Sequence, residues 1–272
     1  MSVWCYRIGN TLIDTGTVKT ADELTELIGK DGPVEHIYIT HHHEDHSGNL
    51  AAIRAAFNPK VYISGYAAPL VRNGFRQYLY QKYMWGEFIP FEPDEIISIP
   101  AMGCCRWSTK DGEFEIYHVP GHSHDMTVVW DHERKTLFAA DLFLGRKLRY
   151  MRKDENWAVS KQSLHRIANE LPVEQLCCGH HPVNWDGLDA LKAKLQWMKE
   201  LEYSVKNGIS IQQTGLIGPE TWDVRFLTLG DASRKNMLKS IQGDFKIRKD
   251  IAGKVGSKEA ANNFESLTTP SN

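Results

Sequence analysis

Apolar residues along this chain come in short blocks separated by polar, glycine-bearing stretches, and the spacing inside each block sets the element it predicts. Residues 3–8 and 11–13 read as two strands joined at Gly9-Asn10, a pair that tolerates the positive φ of tight turns. A helix follows over 20–28, with Asp22 and Glu23 in its first turn and Leu24, Leu27 and Ile28 as an apolar stripe; Gly29 and Asp31-Gly32-Pro33 stop it. Residues 34–40 form a short buried strand, 49–57 a helix with Leu50 and Ile53 on one side, and 60–64 another strand. This is a βαβ rhythm, and the polar loop at 40–49 lies at the C-terminal end of its strand, where α/β proteins place their sites.

Residues 66–93 break the rhythm. Tyr66, Phe75, Tyr78, Tyr80, Tyr83, Trp85, Phe88 and Phe91 alternate there with Arg72, Arg76 and Lys82, and Pro90 and Pro93 close the stretch. Two readings stay open: a helical insertion whose aromatics pack on the body, or a lid or pocket wall. Beyond it, 96–99 and 113–119 are strand-like, separated by Cys104-Cys105-Arg106-Trp107 and the Lys110-Asp111-Gly112 turn. Paired strands at 126–130 and 136–139, a helix at 160–171 and a strand at 175–178 complete a first unit, residues 1–185. Residues 186–255 read as a helical C-terminal extension: an amphipathic helix at 188–205, whose apolar stripe predicts packing, and a shorter helical unit at 209–241. From 256 to 272 the chain is polar without periodicity and is expected to be disordered.

Composition narrows the class without naming a function. With 272 residues, 42% of them hydrophobic, the chain can bury a full core. A net charge of −2 gives no global attraction to a polyanion, so nucleic-acid binding would need a local basic patch. No apolar run reaches membrane-span length and no signal pattern opens the chain, so no membrane partner and a cytoplasmic location are expected. The five cysteines, Cys5 and the pairs Cys104-Cys105 and Cys177-Cys178, have no CxxC spacing and read as reduced thiols.

Thr40-His41-His42-His43-Glu44-Asp45-His46-Ser47-Gly48-Asn49 holds the densest set of metal-ligand side chains. His41 and His43, at extended spacing, can aim two rings at one ion, while Asp45 and His46 point elsewhere, so two sub-sites from one loop are plausible and neither is complete. Taken with His122 in Pro-Gly-His-Ser, Asp141 in Ala-Ala-Asp-Leu, His180 in Cys-Gly-His-His and Leu12-Ile13-Asp14-Thr15-Gly16, the pattern resembles the metallo-β-lactamase-fold hydrolase superfamily, from near residue 1 to about 185.

The resemblance implies an α/β fold, a four-layer αβ/βα sandwich, with two divalent metal ions at one edge. Zinc is the first choice and iron or manganese the alternatives. His41, His43 and His122 would hold one ion, Asp45, His46 and His180 the other, and Asp141 would bridge them; Asp45 is taken as the catalytic residue as well. A metal-bridging hydroxide would be the nucleophile, and Asp14 would support the loop from behind. His42, Glu44, His118, His124, His132, His165 and His181 are expected not to be ligands, with His181 allowed a place on the substrate side. The chain opens at what is usually the family's second strand. Aspartate at 141, where the β-lactamases of this fold carry cysteine, argues against antibiotic hydrolysis.

The resulting expectation is a dinuclear hydrolase of a small ester, thioester or lactone, similar to the glyoxalase II and lactonase branches, with Arg72, Arg76 or Lys82 available for an acidic group. A homodimer is allowed for. The alternative is a metal-dependent phosphodiesterase or endoribonuclease using Lys235, Lys239, Lys246, Arg248 and Lys249 as a basic face. A mononuclear iron persulfide dioxygenase is a third class.

Overall fold

Strand by strand, odd and even positions enter different apolar clusters, and this alternation builds the architecture. The computed structural model describes residues 2–218 and 222–243. It runs β1 (Tyr6–Ile8), β2 (Thr11–Ile13), α1 (Ala21–Gly29), β3 (His36–Ile39), α2 (Glu44–Ser47), α3 (Leu50–Phe57) and β4 (Lys60–Ser64). Next come α4 (Ala68–Asn73), α5 (Leu79–Trp85), β5 (Glu95–Ile97), β6 (Cys104–Thr109), β7 (Gly112–His118), β8 (Thr127–Asp131) and β9 (Thr136–Ala140). The last are α6 (Trp157–Glu170), β10 (Gln175–Cys178), α7 (Gly187–Lys206), α8 (Ile211–Thr214), α9 (Trp222–Leu227) and α10 (Arg234–Ile241).

Two five-stranded sheets result, ordered β1-β2-β3-β4-β5 and β10-β9-β8-β7-β6. In the first, β2 through β5 pair in parallel and β1 antiparallel. In the second, only β9 and β10 are parallel. Leu12, Ile37, Ile39, Val61 and Ile63 face outward into one cluster with Ile28, Leu50 and Ile53 of α1 and α3. Ile13, Tyr38 and Tyr62 face the other way and meet Phe114, Ile116, Val129, Phe138 and Cys177 of the second sheet. Val128, Trp130, Leu137, Ala139 and Leu176 then face a third cluster with Leu164 and Ile167 of α6, Leu191, Met198 and Leu201 of α7, and Met237 and Ile241 of α10. Helix, sheet, sheet, helix: the four-layer αβ/βα sandwich follows from period-2 burial on both faces of each central strand. Each buried isoleucine or valine contributes about 1.5–3 kcal/mol.

The turn at Gly9 ties the sheets together. Its φ is 55°, and a Cβ there would lie 2.2 Å from Asp111 Oδ1. Asp111 in turn accepts from Asn10 N at 3.0 Å and from Thr11 Oγ1 at 2.7 Å.

Two expectations change. Residues 104–107 are not a separator but the start of β6, an edge strand in which Trp107 is the buried side chain and its neighbours are largely exposed, so no continuous apolar run marked it. The strand at 96–99 is instead β5, which begins at Glu95 and ends at Ile97. The 66–93 stretch contains two short helices, α4 and α5, followed by Gly74 (φ 72°) and Gly86 (φ 93°). Residues 244–272, including the expected tail and Lys246, Arg248 and Lys249, lie outside the described residues.

Candidate metal centre

Every ligand candidate sits just beyond a strand. His41 and His43 leave β3 on the loop into α2, Asp45 and His46 stand in α2 itself; His122 follows β7, Asp141 follows β9 and His180 follows β10. The two sheets therefore deliver their strand ends to one edge. All seven side chains meet there. Three groups have donor atoms within 4.8 Å of one another: His41 with His43 and His122; His41 with His46 and Asp141; and Asp45 with His46 and His180.

The tautomers follow from what each ring does on its far side. His46 Nδ1 donates to Asp14 Oδ2 at 2.7 Å, which turns Nε2 toward the centre. Asp14 also accepts from Thr40 N at Oδ1 and from Thr40 Oγ1 at Oδ2, both at 2.8 Å. Thr40 Oγ1, its proton committed, accepts from His41 Nδ1 at 3.0 Å. His122 Nδ1 donates to Glu155 Oε1 and His180 Nδ1 to the Ser2 carbonyl, each at 2.8 Å. Four rings thus present Nε2. His43 presents Nδ1, 2.9 Å from His41 Nε2 and 3.1 Å from His122 Nε2.

Three imidazole lone pairs this close repel unless something positive stands among them. Across the centre, His46 Nε2 and Asp141 Oδ1 are buried without a hydrogen-bond partner, although they lie 3.3 Å apart. Asp141 Oδ2 is 3.2 Å from His122 Nε2 and 3.6 Å from His180 Nε2, and Asp45 Oδ2 is 3.1 Å from His180 Nε2. Nitrogen and carboxylate donors converging on orphaned buried atoms fit divalent cations.

The electrostatics divide the rings: His41 and His43 are held neutral, while, against burial, neighbouring carboxylates favour the charged form of His46, His122 and His180. Burial, then the neighbouring rings, holds His41 well below the ordinary histidine range, and burial with Arg152 does the same for His43, so both are neutral, as ligation requires. Burial opposes charge on His46 and His180 as well. Even so, Asp14 and Asp141 raise His46 well above its usual value, and Asp141 and Asp45 push His180 up to about 9. Burial likewise opposes the Asp45 carboxylate, but His180 and His46 hold it below the usual range.

The other polar residues of the loop have separate tasks. His42 N and Nδ1 donate to Asp125 Oδ2 and Oδ1 at 2.8 and 2.9 Å, and its ring lies 4.5 Å from Phe75. Glu44 is 2% exposed, and neither of its oxygens has a hydrogen-bond partner. Burial first, then Asp45, pushes its carboxyl up to about 7. His118 stacks on Tyr66 with ring centroids 4.0 Å apart, and His181 stands over Gly145 and donates to the Pro182 carbonyl.

Two supports of the centre went unread in the sequence. Glu155 holds His122 from 33 positions away, and no spacing signals that pairing. Its other oxygen accepts from Arg152 N at 3.0 Å. The Arg152 guanidinium faces Asp154 at 3.1 Å and Asp231 at 3.7 Å, and Asp231 accepts from Tyr80 of α5 at 2.7 Å. Ser240 of α10 accepts from Trp157 N at 2.9 Å and donates to the Glu155 carbonyl at 3.3 Å. The C-terminal helices and the aromatic insertion therefore both brace the segment that orients His122. The insertion also borders the centre directly: the Trp85 ring lies 5.9 Å from that of His180.

Among the described residues no helix is long and apolar enough to cross a membrane. The family model for the metallo-beta-lactamase superfamily matches residues 1–180. An uncharacterized protein of Aquifex aeolicus is 29% identical over 179 residues, 62% of this chain and 77% of that protein. A hydroxyacylglutathione hydrolase of Bdellovibrio bacteriovorus is 26% identical over 144 residues, 53% of this chain and 48% of that protein. Among solved structures, metallo-beta-lactamases from Pontibacter korlensis and Erythrobacter litoralis superpose with TM-scores of 0.55 and 0.56, each at 19% identity. They cover 72% of this chain and 85% and 83% of theirs.

Proposed function

The chain belongs to the metallo-beta-lactamase superfamily, and from that premise we propose that it is a two-metal hydrolase of a small ester, thioester or lactone. One observation carries the reading: ligand atoms of all seven residues converge, with His46 Nε2 and Asp141 Oδ1 buried and unpaired among them. His41, His43 and His122 would hold one ion, Asp45, His46 and His180 the second, and Asp141 would reach both. Zinc suits this nitrogen-rich set best, with iron and manganese as alternatives. Bound divalent ions would acidify water and polarise the scissile carbonyl.

The chain's own groups set the geometry for that chemistry. Asp14, Thr40, Glu155 and the Ser2 carbonyl fix four rings so that their lone pairs point inward. Asp45, kept ionised by its histidine neighbours, is an acceptor-only group that orients the attacking water. Trp85 lies beside His180 and Phe75 beside His42, which sets apolar rings next to the ligand loop. The relative from Bdellovibrio, named a hydroxyacylglutathione hydrolase, supports thioesters as the first substrates to try.

The test is a panel of thioesters, lactones and phosphodiesters assayed with zinc, manganese or iron, alongside metal analysis. Turnover of phosphodiesters alone would sink the proposal in favour of a nuclease. In that case Lys235 and Lys239, both exposed on α10, are the described part of the basic face. One iron per chain with sulfur-dependent oxygen uptake would favour a persulfide dioxygenase instead.

A further inference from the structure

Lys194, midway along α7, is a buried cation with no carboxylate of its own. It is 4% exposed and, among the described residues, forms no ion pair. Its Nζ donates one hydrogen bond, to the Gly145 carbonyl at 3.0 Å, and stands 5.3 Å from the Phe143 ring centroid. An ammonium carries three protons, so donor capacity is left over. Burial pushes the group down to about 8. A lone buried charge destabilises a fold, and a perturbed titratable group lining a cleft is a candidate for meeting a counter-ion there.

The surroundings say which counter-ion. Lys194 lines a narrow crevice, partly continuous with solvent, between the segment after β9, the start of α6, and α7. Two of its walls are His122 and Asp141; Leu142, Leu148, Met151, Trp157 and Met198 make much of the rest apolar. Two carboxylates border the space, yet neither neutralises Lys194. Glu155 is taken by His122 and Arg152 N, and Asp141 faces His46, His122 and His180. The cations expected from the sequence to meet an acidic substrate are engaged elsewhere. Arg72 pairs with Glu92, Lys82 with Glu87 at 2.5 Å, and Arg76 lies over the Tyr78 ring.

We propose that Lys194 receives a carboxylate on the acyl side of the substrate, close to the scissile carbonyl, so that acyl groups bearing a second acidic function are favoured. The enclosed part of the crevice has room for about two water-sized atoms, which suits the two oxygens of a carboxylate and not a long alkyl chain. In an apolar pocket a charge-assisted hydrogen bond to that group is stronger than at the surface. As a statement about substrate, the proposal rests on the hydrolase reading; as a statement about a carboxylate site, it does not.

The test therefore has a binding arm and a turnover arm. Acetate, with neutral acetamide as its isosteric control, is titrated calorimetrically into the metal-loaded protein, wild type and the variants K194M and K194Q. Acetate binding that weakens by about ten-fold or more in both variants, with acetamide failing to bind, supports the site. Acetate affinity unchanged in the variants would assign the anion to the metal ions alone and overturn it, as would absence of acetate binding in the wild type. In the turnover arm, a thioester with a carboxylate on its acyl group is compared with the matching amide. A preference for the acid of about ten-fold in kcat/KM that collapses toward unity in K194M and K194Q places the carboxylate on the substrate. An equal preference in all three proteins overturns that assignment. Failure of every substrate refutes the hydrolase reading while the acetate arm still decides the site.

Discussion

Asp14→Asn isolates the contribution of one carboxylate behind the metal centre. Asp14 adopts φ 60°, a left-handed conformation that asparagine tolerates about as well as aspartate, so the backbone is preserved. The new amide can still accept from Thr40 N with its oxygen, but its NH₂ faces Thr40 Oγ1 and His46 Nδ1, where a carboxylate oxygen now accepts at 2.8 and 2.7 Å. Donor meets donor unless His46 moves its proton to Nε2, the atom that points into the centre. Two hydrogen bonds to a charged acceptor, each worth roughly 1.5–3 kcal/mol, are lost and partly replaced, so the expected destabilisation is about 2–4 kcal/mol. On this size of domain that is a Tm fall of about 5–15 °C. The larger effect is local: an Nε2-protonated His46 cannot ligate, and affinity at its ion should drop by about 10–100-fold while the His41, His43 and His122 set is spared. Titration of the metal-free protein with zinc against a chromophoric chelator should turn from two tight steps into one tight and one weak. Two unchanged steps, with a Tm within about 2 °C of wild type, would refute the reasoning.

Further outcomes follow from the same contacts. Glu155→Gln should spare the His46 ion and weaken the His122 ion by about 10-fold or more, read in the same titration. Asp231→Asn keeps an oxygen that can accept from Tyr80 but removes a charge beside Arg152, and should cost about 1–3 kcal/mol in thermal or urea unfolding; Tyr80→Phe should cost about 1 kcal/mol. Lys194→Met should raise Tm at neutral pH, because it deletes an unpaired buried charge. The Lys194 proton is held in the unfolded chain up to the ordinary lysine value of 10.5 but in the fold only to about 8. Between those limits the unfolded state binds more protons, so the wild type should gain stability as pH rises from 8 to 10.5, and K194M should lose that component of the slope, as measured by denaturant titration across that range.

Much of the fold was legible because the central strands are buried on both faces. Ile37, Tyr38 and Ile39, or Val128, Val129 and Trp130, make continuous apolar runs that stand out in the sequence. β6 did not stand out because an edge strand buries one side chain and leaves the rest half-polar. The seven residues that converge were legible because each follows a strand in a recognisable order, and Asp14 because it belongs to the same pattern. Glu155, Arg152, Asp231 and Lys194 were not. They act through partners tens of positions away; Glu155, Arg152 and Asp231 sit on loops, Lys194 on a helix whose periodicity predicts only packing, and only tertiary structure brings them to the centre. The insertion's cations misled for a related reason: the sequence records the charge of Arg72 and Lys82 but not the Glu92 and Glu87 that neutralise it.

The hydrogen bond from His180 to the Ser2 carbonyl spans 178 positions, and it gives the centre an order of assembly. A nascent chain presents His41, His43, Asp45 and His46 together before the later partners exist. The remaining ligands arrive only after both sheets have formed and docked, and His180 takes its final orientation when β1 closes beside β10. Loop closure on that scale is slow relative to local collapse. A cation captured early would therefore wait on a half-built site, and tight binding would mark the end of folding. Release of a metal ion should correspondingly report the first parting of β1 from β10, well before the core melts.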